Sequence, residues 1–134
     1  MPDGDIKSVE ELVDHYGEPR GHLSEKEKPA LSDHCMNFIA LSPFCVLSTS
    51  AAGDGPADCS PRGDAPGFVH IIDDTTIAIP DRPGNRRTDT FHNIMENPEI
   101  AVMFMVPGLN EVLRLNGRAR LSTNSELLEK MVAK

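Results

Sequence analysis

Hydrophobic and polar positions along this chain change period several times, and each change marks an expected element. The first 30 residues are polar and broken by Pro2, Pro19, Pro29, Gly4, Gly17 and Gly21, with one helical stretch from Ser8 to Tyr16. Ser8 and Glu11 stand at capping-box spacing and Gly17 supplies a stop, so this region reads as an N-terminal arm carrying a short helix. A second helix is expected from Ser32 to about Ala40, where Cys35, Phe38 and Ile39 share a face before Ser42-Pro43 ends the run.

From Phe44 the pattern shortens to strands. Phe44 to Thr49 is an apolar run rich in strand formers, Ala51 to Pro56 is a connecting turn, and Ala57 to Ser60 is expected to return antiparallel. Phe68 to Ile72 and Thr75 to Ile79 flank Asp73-Asp74, a spacing that suits a tight hairpin. Thr88 to Asn97 sets Phe91, Ile94 and Met95 at helical spacing, closed by Pro98. Ile100 to Val106 is apolar throughout, as in a strand buried on both faces, at the core's centre or at a subunit interface. Around Asn116-Gly117, Glu111 to Leu121 alternates charged and apolar residues; a hairpin and a bulged single strand both fit, and the short flanks favour the bulge. A last helix is expected from Asn124 to about Ala133, with Leu127, Leu128 and Met131 on one face. The whole reads as a mainly β, α+β chain: an antiparallel meander with one inserted helix, closing into a small barrel with helices outside.

Length and charge narrow the function. With 134 residues and a formal net charge of -8, one domain is expected, and no general nucleic-acid or anionic-membrane surface. There is no signal-peptide pattern at the start and no apolar run of the roughly 20 residues that span a bilayer, so a soluble cytoplasmic protein is expected. Cys35, Cys45 and Cys59 are odd in number and widely spaced, which fits reduced thiols rather than a disulfide framework. His15, His22, His34, His70 and His92 never recur at metal-ligand spacing, so no metal site is expected. Neither a nucleophile elbow nor a Rossmann or P-loop glycine motif is present.

Against this acidic background the run Arg82-Pro83-Gly84-Asn85-Arg86-Arg87 packs three arginines and a rigid turn between a strand and a helix. Forked guanidinium donors beside a helix start suit a phosphate, and a second arginine turn, Ser60-Pro61-Arg62-Gly63-Asp64, lies at a strand end. If the two strands are neighbours, the arginines converge on one dianion. The bland alternative is a solvated charge run balancing Asp81 and Asp89, with Ser60 to Asp64 only a turn; such exposed pairs contribute about 0–1 kcal/mol.

These two segments, followed in order by Asn93-Ile94, Asn97-Pro98, Val106-Pro107-Gly108 and Leu113 to Ala119, resemble the pyridoxamine 5'-phosphate oxidase-like family of flavin-binding split barrels, from about Leu41 to Leu121. The likeness is greatest to a poorly characterised bacterial subfamily. It implies an antiparallel split β-barrel with flanking helices over residues 31–134, after the arm of residues 1–30. It further implies a homodimer that holds FMN non-covalently at its interface and acts as an oxidoreductase on a small molecule. A flavin or haem binding or sensing dimer without turnover, and a purely structural dimer, are the alternatives. Carried over by position, Ser60 and Arg62 meet the ribityl-phosphate side and Asn85, Arg86 and Arg87 hold the phosphate. Arg114 is a further candidate for the same pocket or for the facing subunit. The resemblance implies additional strands beyond Lys134, so the C-terminal part of the family domain is expected to be missing. The Trp and Arg-x-His elements that hold pyridoxamine phosphate are not found here, so that particular activity is not expected, and no catalytic acid or base is identified.

Overall fold

The four-stranded sheet at the centre of the fold has the strand order β2-β1-β5-β6, antiparallel throughout. Its strands are β1 (Phe44–Ser50), β2 (Ala57–Gly63), β5 (Glu99–Met105) and β6 (Val112–Arg118). A separate hairpin pairs β3 (His70–Asp73) with β4 (Thr76–Ala78). The computed structural model describes residues 3–17, 29–53, 55–81 and 89–131. Among these are four helices: α1 (Val9–Tyr16), α2 (Asp33–Leu41), α3 (Asp89–Glu96) and α4 (Ser125–Met131). None is long and apolar enough to cross a membrane.

Strand alternation sorts the sheet into two faces. Cys45, Leu47 and Thr49 of β1 share a face with Val102 and Phe104 of β5 and Leu113 and Leu115 of β6, as the antiparallel register requires. Against this face pack Phe38 and Ile39 of α2 and Phe68 and Val69 ahead of β3, closing the core. Burying a side chain such as Ile39 or Phe104 contributes about 1.5–3 kcal/mol. The other face carries Phe44, Val46, Met103 and Met105, all half-buried. β5 is therefore central in the sheet, but among the described residues it is covered fully on one face only.

Several local expectations change. β2 runs on through Pro61 to Gly63, so Ser60-Pro61-Arg62-Gly63 is strand rather than turn; β2 is an edge strand, where a residue without an N–H is tolerated. The β3–β4 turn falls at Asp74-Thr75, one residue later than expected. The Asp73 carboxylate accepts from the Thr75 backbone N–H at 2.9 Å and its hydroxyl at 3.0 Å, and Asp73 pairs with Thr76 after a register shift. These hydrogen bonds hold the Asp73 carboxyl below its usual pKa. β6 is a single strand, as favoured, but its register against β5 runs from Val112 to Arg118 without a shift, so there is no bulge. In α3, Thr90 and Ile94 face inward while Met95 is 74% exposed, and in α4 Met131 is buried while Leu128 is exposed. Both helices present a narrower stripe than apolar content alone suggests. Residues 132–134, where the last helix was expected to finish, lie outside the described residues.

Ser42 holds the corner where these parts meet. It is 1% exposed, and its hydroxyl lies 2.7 Å from the Phe44 carbonyl and 2.6 Å from the Met105 carbonyl, so its one proton serves the start of β1 and the end of β5. Its backbone N–H caps α2 on the Ile39 carbonyl, and its own carbonyl accepts from Gly67. Gly67 has φ +80°, and a Cβ there would stand 3.1 Å from the Ala40 carbonyl oxygen, so the turn can approach α2 only as glycine. Ser42→Ala should lower stability by about 1–3 kcal/mol, because buried carbonyls lose their donor. A urea titration checks this: the midpoint falls with the slope unchanged.

Candidate functional site

The inward face of β2 is polar where its neighbour's is apolar. Asp58, Ser60 and Arg62 stand opposite Thr49, Leu47 and Cys45 of β1, all half-buried. Because β2 is an edge strand, polar side chains here reach past the core to its rim. The Arg62 Nε donates to Ser60 Oγ at 3.1 Å and its Nη1 donates to Asp81 Oδ1 at 3.0 Å. Its guanidinium carbon lies 5.7 Å from the Phe91 ring centroid, within cation–π range. With 18% of its side chain exposed, Arg62 is held by three partners among the described residues.

α3 is tied to the same edge by polar contacts. Thr90 Oγ1 donates to Asp58 Oδ2 at 3.2 Å, Asn93 Nδ2 to Thr49 Oγ1 at 3.1 Å and Asn97 Nδ2 to Ser50 Oγ at 3.1 Å. Thr90 and Asn93 of α3 and Asn97 just past its end recur at three- and four-residue spacing, so they fall on one side beside buried Ile94. Asn93 and Asn97 belong to the motif series noted in the sequence, and their docking role is visible in the structure. Polar residues at helical spacing next to an apolar stripe are the signal that carried it.

The consequence is geometric. Asp81, the last described residue before the arginine run, is paired to Arg62, and Thr90 and Phe91, just after it, meet Asp58 and Arg62. Both flanks of residues 82–88 therefore lie against β2, beside Ser60 and Arg62. The predicted phosphate ligands Asn85, Arg86 and Arg87, like Arg82, lie outside the described residues. Arg114 does not join this cluster within one chain. It is exposed on the opposite sheet face, and β6 is the far edge from β2, about 14 Å away at three strand spacings.

Charge at the site is mixed. Asp58 and Asp81 offset Arg62, so an arriving anion would compete with Asp81 for the guanidinium. Arg62 has five N–H groups, of which Ser60 and Asp81 engage two among the described residues. Since Ser60 Oγ accepts from Arg62, its own proton is available to an acceptor. Behind them, burial pushes the Cys45 thiol up to about 11, with the positive charge of Arg62 acting in the opposite direction.

Comparison with known proteins identifies the family. A family model described as pyridoxamine 5'-phosphate oxidase matches residues 31–134. The chain belongs to that family. Neither a curated protein nor a solved structure matches it.

Cys45 gives a direct check on how dry the floor of this edge is. Its raised pKa keeps the thiol protonated at neutral pH, so it should be the last of the three cysteines to react with an alkylating reagent. The folded state holds a proton there that the unfolded chain releases from about 9.0 upward, so this contribution to stability is complete below pH 9.0 and is lost as pH rises to about 11. Denaturant titrations across that window should show a shallower alkaline decline for Cys45→Val than for the parent.

Proposed function

We propose that this chain binds FMN non-covalently in a split barrel and acts as a flavin-dependent oxidoreductase on a small molecule. The observation that carries the reading is the half-buried Arg62, fixed by Ser60, Asp81 and Phe91 where both flanks of the arginine run meet β2. Family membership supports a flavin as the cofactor class. Bound flavin would supply hydride or electron transfer at its ring. The chain's own part is to hold the phosphate: Ser60 and Arg62 donate from β2, and Asn85, Arg86 and Arg87 add donors from the segment between Asp81 and Asp89. Asp81 keeps Arg62 oriented until the phosphate shares it.

The homodimer belongs to the same proposal. Phe44, Val46, Met103 and Met105 make an apolar outer sheet face, and a second copy seated there would cover it. Arg114 lies on that face, directly opposite Met103, which favours its service to the facing subunit rather than to its own β2.

Reconstitution with FMN followed by gel filtration tests the reading. Flavin absorbance should travel with the protein, and a protein peak without flavin overturns the proposal. FMN should bind more tightly than riboflavin, which lacks the phosphate. Arg62→Ala should cost about 1–3 kcal/mol of FMN affinity and narrow that gap, while Arg118→Ala, a surface residue paired with Glu99, should change neither. Reduction of the bound flavin by NADH or NADPH then separates turnover from carriage.

A further inference from the structure

The N-terminal helix α1 is capped at both ends, yet its apolar residues find no burying surface among the described residues. Ser8 Oγ accepts from the Glu11 N–H at 3.1 Å, Glu11 Oε2 accepts from the Lys7 N–H at 3.1 Å, and the Gly17 N–H closes the C-terminus on Val13. Val9, Leu12, Val13 and Tyr16 fall on one side, yet no residue of α1 is buried, and Val9 and Tyr16 are 72% and 75% exposed. A helix of 8 residues is marginal alone in water, where isolated helices need about 12–15 residues or more, so this one needs a surface.

A matching surface exists on the same chain. A groove of about 290 Å³ runs between β3 and α4, with Ile72 and Leu127 on its walls and His70, Arg120 and Lys130 around it. Arg120 and Lys130 make no ion pair with any described residue, and Glu126 is the one acid among the groove's lining residues. The segment around α1 has the opposite sign, with Asp3, Asp5, Glu10, Glu11 and Asp14 against Lys7. Glu10 and Asp14 flank the apolar stripe on one side, where they can meet the two cations as the stripe meets Ile72 and Leu127. The tether also leads there. The Leu31 N–H donates to the Asp74 carbonyl at 2.7 Å, which anchors the chain two residues from Ile72. From Gly17 to Pro29 the backbone spans at most about 40 Å, ample for return to a groove beside its own anchor.

We infer that α1 docks in this groove of its own chain, its apolar stripe on Ile72 and Leu127 and its acidic flank on Arg120 and Lys130. α1 is then an intramolecular strap across β3 and α4. This placement does not depend on flavin.

Amide hydrogen exchange on the full chain, read by mass spectrometry, tests it. The α1 amides should exchange about tenfold or more slower in the parent than in the double variant Arg120→Glu/Lys130→Glu, with β5 protection unchanged in both. Glu10→Lys/Asp14→Lys should lose the same protection, and combining the four substitutions should restore it. Leu12→Asp should abolish it without disturbing β5. Equal α1 exchange in the parent and in Arg120→Glu/Lys130→Glu overturns the proposal. So does protection that disappears on dilution, because that assigns α1 to a second copy.

Discussion

One buried hydroxyl governs how the pieces of this fold meet. Ser42 ends α2, begins the path into β1, reaches the carbonyl that ends β5, and receives Gly67 from the turn after β2. The core depends on this corner, because Phe38 and Ile39 can lie on Cys45, Leu47 and Phe104 only if α2 stops at one angle to the sheet. A serine does this where a larger polar residue could not, since the site is closed and a single small group must satisfy two carbonyls. The adjacent Pro43 carbonyl takes the Asp64 N–H, so the same corner also fixes where β2 leaves the sheet. The position of Arg62, one strand residue earlier than Gly63, follows from it.

That chain of constraint explains how Arg62 comes to stand on a rigid edge. β2 contributes an arginine whose direction is set by its own strand through Ser60, by the next segment through Asp81 and by α3 through Phe91. α3 is in turn sewn to the hairpin of β1 and β2 by Thr90, Asn93 and Asn97. Side chains held this way lose little further freedom on meeting a ligand, which is the physical advantage of preorganisation.

Much of the fold was legible because its signals are local. Ser8, Ser32 and the prolines mark helix limits by capping and steric rules, and the apolar runs of β1 and β5 announce buried strands without reference to any partner. What escaped depends on neighbours. Pro61 argues against a strand until β2 is known to be an edge, and Asn116-Gly117 looks like a turn until β5 supplies a straight ladder for it. Met95 has the right chemistry for a core, but Thr90 and the two asparagines had already fixed which side of α3 faces the sheet. Ser60 and Arg62 were legible as a pair. Asp81 balances the arginines that follow it only in the bland alternative; among the described residues it pairs with Arg62 nineteen residues earlier, a contact only tertiary structure can make. Arg114 was placed on the correct late strand, but face and edge are properties of the sheet, invisible in the local sequence.

The straightness of β6 has a chemical side. An asparagine followed by glycine is the sequence most prone to deamidate, because the glycine nitrogen can fold back on the asparagine side chain and close a five-membered ring. In β6 the backbone of Asn116 and Gly117 is extended and in register with Ala101 and Ile100, so the attack geometry is denied as long as the ladder is intact. Any molecule that does form the ring and reopens to the isoaspartyl form carries an extra backbone carbon in that strand, and residues beyond it can no longer keep both face and register. Pairing of β6 thus slows ring closure at Asn116-Gly117, and damage acquired there is retained as a strand that pairs poorly with β5.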